Sequence, residues 1–355
     1  MEDYKSFISP KRQSVPTPKD IVDENGTAVF GTFDKEFQKM SFLDIKKPTT
    51  LPTSLNKMRY TEWEALELNF DEYIVLTAVC DMGIFGTGLT ILYNKNEKKL
   101  KAWQDFYLAK SQYKIAKNLL DGSCTAGKGK HVTMHFSNDF GNGKAVIKGC
   151  ADDNKNGTFN YDVSLERVSL PSVVSIPFGK NRPLYSQKDL FKVNGYIEID
   201  GKRIEANENT TAIIDDHKGY YPYKMHYDWI TTMGNMDNDG YKGFFGFNLT
   251  RNQTLNHDDY NENLIWLQNN SSLLPPVKFI HNKDNTQWTV KDEHDMVNLT
   301  FDIGDIFKME VHALVIDIRY HILFGSINGY VRDTDGKKYE IDDMIGIAED
   351  KSMRF

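Results

Sequence analysis

Cysteine is scarce in this 355-residue chain: Cys80, Cys124 and Cys150 are three, an odd number, and widely separated. That count excludes a disulfide framework and a thiolate metal set, and it suits a reducing compartment. Long apolar runs are missing as well. Nothing approaches the ~18 residues a membrane helix needs, and the polar opening, with Lys11 and Arg12, lacks the apolar stretch of a signal peptide. These absences predict a cytoplasmic protein without an integral membrane segment. An excess of basic residues is also absent, the formal charge being -7. Nucleic acid is therefore not expected as a partner, because phosphate contacts supply most of the affinity for it. Gly83, Gly86 and Gly88 lack a Walker lysine, and no Gly-x-Ser-x-Gly elbow occurs, so no cofactor is expected. His131 and His135 share a strand face, yet no carboxylate or cysteine completes a ligand set, so no metal is expected.

What is present is aromatic and β-patterned. Aromatics make up 12% of the chain, with 21 Phe, 18 Tyr and 5 Trp. Tyr73 to Val79, Gly88 to Tyr93 and Leu100 to Trp103 read as strands, and turns about every ten residues suggest an antiparallel meander. Lys130 to Phe136 and Lys144 to Cys150 alternate apolar with polar. Tyr107 to Leu120 stays ambiguous between helix and strand, because its apolar positions keep no clean 3.6 period. No βαβ alternation appears, which excludes a doubly wound sheet. The reading is a mainly β chain of two antiparallel, barrel-like halves. Residues 1–28 form a loose arm, 29–180 a first domain and 181–355 a second, with Pro171, Pro177 and Pro183 marking the border. Asn194-Gly195-Tyr196-Ile197 with Asp200-Gly201 is echoed by Asn328-Gly329-Tyr330-Val331 with Asp335-Gly336. Either two stereotyped hairpin turns coincide or a β unit is duplicated.

Chemistry-bearing residues concentrate after Ile214. Asp215, Asp216 and His217 place two carboxylates beside an imidazole, a set able to act as general acid and base if partly buried. The bland reading is a solvated turn whose carboxylates cap backbone amides. In the acid–base reading Asp216 donates the proton, Asp215 and His217 tune it, and Tyr220, Tyr223 and Trp229 form an aromatic wall that stabilises developing positive charge. Asp228, Asn248, Arg251, Tyr260, Asn261, Glu262, Asn263 and Lys278 are the further ligand-binding candidates. Alternation along 261–264 would turn Asn261 and Asn263 to one face and Glu262 to the other, as a ligand-holding barrel strand requires. Arg251 and Glu262 could equally be a structural ion pair. In the first half, alternation pairs Glu62 with Glu64 on one face and leaves Trp63 on the other, one side core and the other surface.

Several of these segments resemble the DUF2804 proteins. Phe30-Gly31-Thr32-Phe33-Asp34, Glu62-Trp63-Glu64-Ala65 and Asp216-His217-Lys218-Gly219-Tyr220-Tyr221-Pro222-Tyr223 carry the likeness. Gly246-Phe247-Asn248-Leu249-Thr250, Tyr260-Asn261-Glu262-Asn263, Leu274-Pro275-Pro276-Val277-Lys278-Phe279 and Gly346-Ile347-Ala348-Glu349-Asp350 continue it. The resemblance extends distantly to two-domain lipocalin-like proteins such as carotenoid hydratases and tocopherol cyclases. It implies two lipocalin-like β-barrel halves and a hydrophobic, lipid- or isoprenoid-like small-molecule ligand, but no reaction. Three functions follow as expectations: acid-catalysed hydration, cyclisation or isomerisation of such a ligand; its non-catalytic binding; and, less favoured, a carbohydrate-binding module.

Overall fold

The structure, a computed structural model, describes residues 7–238, 240–313 and 316–354. It is 62% strand and 6% helix, the helices being short 3-10 turns. None is long and apolar enough to cross a membrane, which bears on helical spans alone. Among the described residues the strands form a 14-stranded and a 9-stranded sheet. One rolls into a nearly closed barrel and the other into a half-barrel, so the expectation of two antiparallel barrel or curved-sheet halves holds.

The first sheet opens with β1 (Gly31–Phe33), β2 (Tyr60–Asn69), β3 (Tyr73–Asp81), β4 (Gly86–Asn94) and β5 (Lys99–Tyr107). Next come β6 (Tyr113–Lys114), β7 (Ser123–Lys128), β8 (Val132–Asp139), β9 (Lys144–Asp153) and β10 (Gly157–Arg167). It ends with β11 (Val173–Gly179), β12 (Arg182–Ile199), β13 (Lys202–Glu205) and β14 (Thr211–Tyr220). The main order is β5-β4-β3-β2-β14-β12-β10-β9-β8-β7-β6. Rings of Tyr107 and Tyr113 stack at 5.5 Å and bring the two ends of this order together. Strand alternation builds the interior: Val132, Met134 and Phe136 of β8 meet Ile147 of β9 and Val163 of β10 in one core, while their neighbours face outward.

The second sheet contains β15 (Lys224–Asn238), β16 (Tyr241–Arg251), β17 (Leu264–Leu267), β18 (Asn270–Leu273) and β19 (Lys278–His281). β20 (Gln287–Lys291), β21 (Val297–Ala313), β22 (Ile316–Arg332) and β23 (Lys338–Arg354) complete it. Phe245, Phe247, Ile265, Trp288, Phe301 and Leu323 are among its buried core residues.

Two expectations need correcting, and one open reading is resolved. The chain divides into two compact units, Ser14–Leu92 with Lys101–Tyr221, and the remainder including everything from Pro222. The break therefore follows Tyr221 rather than residue 180. The proline-rich stretch does not part the halves, because β11 and β12 pair across it and β12 and β14 are central strands of the first sheet. Residues 7–28 are not a loose arm either: Ile21 and Arg12 are buried, and Val15, Asp20 and Val22 make β-bridges. Tyr107 to Leu120 holds only a 3-10 turn and the two-residue β6, no α-helix.

The paired hairpins share more than a turn sequence. Between β12 and β13, Asp200 and Gly201 have φ of 50° and 81°, the double positive φ of a tight two-residue turn. The second loop is longer, closing between Arg332 and Lys338. Yet Gly195 and Gly329 have φ of 115° and 125°, and a Cβ on either would lie 2.1 Å from a carbonyl of the neighbouring strand, Asp162 or Asn298. Only glycine fits there.

Candidate functional site

β14 runs between β2 and β12 and is buried along its whole length. Its even-numbered side chains share the barrel interior with those of its neighbours. Asp216 is opposite Glu64, Lys218 opposite Glu62 and Tyr220 opposite Tyr60 on β2, while Gln187 and Tyr185 flank them on β12. Below this level Leu66, Ile214 and Phe191 belong to the apolar core. Above it Phe33, Phe37, Phe42, Tyr185 and Tyr220 form an aromatic plug. A belt of charge thus lies between two apolar layers.

The belt contains one ammonium and three carboxylates. Lys218 Nζ donates to Asp216 Oδ1 at 2.6 Å, and both side chains are almost fully buried. Tyr60 donates to Glu62 Oε2 at 3.0 Å, and the Thr125 hydroxyl donates to Glu64 Oε2. Glu64 Oε1 and Asp216 Oδ2 are buried without a hydrogen bond. One positive charge cannot neutralise three buried negatives, so the group with least compensation holds its proton. Burial first, and then the Asp216 charge, push the Glu64 carboxyl up to about 7. Burial likewise raises Asp216 and Glu62 against the lowering pull of Lys218. Lys218 is itself raised: burial lowers it, but Asp216, Glu62 and Glu64 together outweigh that cost.

A pH-dependent stability follows. A carboxyl raised from its ordinary 4.5 to about 7 on folding contributes stability below 4.5 that is lost as pH rises through 7. Urea unfolding should show the wild type losing on the order of 3 kcal/mol between roughly pH 5 and pH 8. Glu64→Gln, which keeps the shape without the charge, should flatten that slope. A variant as steep as the wild type would move the titration to another group.

A cavity of about 410 Å³ reaches this belt from the plug side. Met40, Phe42, Leu43 and Tyr60 give it apolar walls, with Lys39, Ser41, Asp44, Lys117 and Asn118 as polar ones. Of the belt carboxyls, Glu62 lines it; Glu64 is fully buried behind.

Asp215 and His217 occupy the opposite face of β14, so strand alternation separates them from Asp216. There His217 Nε2 lies 3.1 Å from Asp215 Oδ1, and Lys188 Nζ lies 3.4 Å from Asp215 Oδ2. The Tyr221 hydroxyl is 3.4 Å from His217 Nδ1, and Trp63 stacks on the imidazole at 4.6 Å. The adjacent carboxylates and imidazole of the sequence are thus two constellations on two faces.

The remaining candidates scatter. Tyr220 is buried and donates to the Phe42 carbonyl at 3.2 Å, whereas Tyr223 is 53% exposed and forms no wall. The others belong to the unit from Pro222 onward. Trp229 donates to Asn248 Oδ1 at 2.6 Å, and Asn248 donates to the Glu262 carbonyl at 2.8 Å. Asn263 bonds the Thr250 amide and the Pro275 carbonyl, and Asn261 bonds the Asn263 amide and the His257 carbonyl. These amides are engaged by the protein's own backbone. Residues 261–263 precede β17 and are not strand, so the expected alternation does not apply to them. Arg251 is exposed, Tyr260 is partly exposed, and Lys278 pairs with Glu293 at the surface. Asp228 joins two histidines, His226 and His281.

Sequence reading missed Lys218 and underused Glu62 and Glu64. The signal in the sequence was partial: Lys218 alternates with Asp216, and Glu62 with Glu64, but only the register of β14 with β2 joins the two pairs.

No curated protein matches the sequence. Among solved structures, CghA with Sch210972 superposes with a TM-score of 0.51 at 6% identity, covering 96% of this chain and 98% of that one. That likeness shows the fold alone. Kievitone hydratase from Nectria haematococca (8% identity, 99% and 98% covered, TM-score 0.46) is another structural match. An AttH-like protein from Nitrosomonas europaea (13% identity, 83% and 93% covered, TM-score 0.48) is a third. A family model matches residues 12–355, and the chain accordingly belongs to DUF2804, the family described as a domain of unknown function.

Proposed function

We propose that the 14-stranded barrel binds a small molecule with an apolar, lipid- or isoprenoid-like body and a polar end, and transforms it by proton transfer, as in hydration, cyclisation or isomerisation. The observation that carries this reading is Glu62, a carboxyl raised by burial that lines the cavity beside Tyr60 and Phe42. A protonated carboxyl facing an aromatic-walled space can deliver a proton to an alkene or enol ether, and the π faces favour the cationic state that results. Glu64, Asp216 and Lys218 act behind it as positioning residues that set its protonation. Asp216 is bound to Lys218 and enclosed, so its role is electrostatic and not that of the proton donor.

Native mass spectrometry with organic extraction of the purified protein supplies the test compounds. Glu62→Gln is expected to abolish turnover of an extracted or homologous substrate while binding stays within a few-fold. Binding without any product in the wild type would leave the non-catalytic carrier as the function. Full activity in Glu62→Gln combined with loss in His217→Gln would transfer the chemistry to the opposite face of β14.

A further inference from the structure

In the unit that begins at Pro222, two histidines converge on two buried carboxylates. Asp228 on β15 and Asp350 on β23 are directly opposed in the ladder, and each is at most 8% exposed. Like charges in that position repel, so a cation between them is required. His226 Nε2 lies 3.5 Å from Asp228 Oδ2, and its Nδ1 lies 3.9 Å from Asp350 Oδ1. His281 Nε2 lies 3.3 Å from Asp228 Oδ1. That oxygen and that nitrogen are both buried, and beyond this contact with each other neither has a hydrogen-bond partner. One ligand atom each from His226, Asp228 and Asp350 falls within 4.8 Å of the other two.

We propose that His226, Asp228 and Asp350, joined by His281, form a binding site for a divalent ion of the zinc class. Ligands about 2.0–2.2 Å from a tetrahedral zinc are roughly 3.3–3.6 Å from one another. The two histidine–Asp228 separations have that spacing, each to a different oxygen of Asp228; His226, Asp228 and Asp350 already cluster, and a side-chain rotation must bring in His281. Two imidazoles select a borderline transition ion over magnesium or calcium, which want oxygen shells. The surroundings fit the task. The Ser352 hydroxyl lies 3.0 Å from His226 Nδ1, which leaves Nε2 toward Asp228. His281 stacks on buried Trp288 at 4.2 Å and 7°, which fixes its ring. The His226 side chain is half exposed and gives the ion a way in.

Arg319 is the built-in competitor. It donates to Asp350 Oδ1 at 2.9 Å, and its side chain is 45% exposed and so free to swing out. The ion would take over the charge-neutralising role that Arg319 now shares with the histidines. The sequence concealed this set because its members are 226, 228, 281 and 350, brought together only by β15, β19 and β23.

Calorimetric titration of the chelator-treated full chain with zinc chloride near neutral pH is the test. One ion per chain is expected, with a rise in melting temperature, and magnesium should give no saturable heat. His226→Ala and His281→Ala should each weaken zinc tenfold or more, and Arg319→Ala should tighten it by removing the competitor. Asp228→Asn, nearly isosteric and free of the cross-strand repulsion, should fold and lose the ion. Absence of saturable zinc uptake overturns the proposal. So does uptake that persists in Asp228→Asn and vanishes when the three cysteines are alkylated.

Discussion

Replacing Lys218 with methionine is expected to destabilise the protein by about 3–5 kcal/mol at neutral pH, the cost of leaving a buried charge without its partner. The ammonium is the counter-charge for Asp216 at 2.6 Å and acts electrostatically on Glu62 and Glu64. Without it the belt has no cation, so each of the three carboxyls takes up its proton at higher pH than in the wild type. Raised carboxyls contribute stability at low pH that is lost as pH rises through their folded values. Lys218→Met should therefore be nearest to wild type around pH 5 and furthest from it around pH 8. Adding Asp216→Asn should restore much of the loss, since the pair is then removed together. Urea midpoints of the two variants at both pH values decide it. A Lys218→Met protein equally stable at both would mean that water already reaches the belt.

Arg12→Met should be nearly as damaging, about 3–5 kcal/mol, although the residue lies close to the start of the chain. Its guanidinium is 1% exposed and donates to Asn261 Oδ1, to the Leu274 carbonyl at 3.1 Å and to the Asn263 carbonyl at 3.0 Å. Burial lowers it to about 9 against the raising pull of Glu262. Removal would take its donor from the Leu274 carbonyl, strip one of two donors from the Asn263 carbonyl, and remove a positive charge that acts on Glu262. The segment around Asn261 and Leu274 should then open, and limited proteolysis within 252–263 should become faster. Cleavage there at the wild-type rate, with an unchanged urea midpoint, would show that residues 7–13 are peripheral.

The two errors over residues 7–28 and 261–263 have one origin. Arg12 and the asparagines are polar residues used structurally, and polarity in sequence reads as solvent or as ligand contact. What distinguishes them is their partners: those of Arg12 lie some 250 positions away in sequence, and those of Asn263 are backbone groups of Thr250 and Pro275 in separate segments. The β architecture was readable because alternation in β8 and β9 is a local property, and so was the Asp200-Gly201 turn. The unit border was not readable, since Pro177 and Pro183 fall opposite each other in a ladder rather than in a linker. At the candidate site the sequence reading and the proposal both fall on β14, but they group its residues differently. Asp215, Asp216 and His217 are neighbours in sequence, but a period of two sends them to different faces. Glu62 and Glu64 were seen to share a face; that it was the interior depended on the register with β14.

The two kinked glycines have a consequence for how the sheets assemble. Each lies where the neighbouring strand leaves no room for a Cβ, against Asp162 for Gly195 and against Asn298 for Gly329. A slip of one residue would present Asn194 or Tyr196, and Asn328 or Tyr330, to the same carbonyl. Misaligned pairings that keep this backbone geometry are thereby disfavoured by the strain of a positive φ and a Cβ clash. The glycines work as alignment keys: they cannot strengthen the correct pairing, but they make the adjacent wrong ones harder to close.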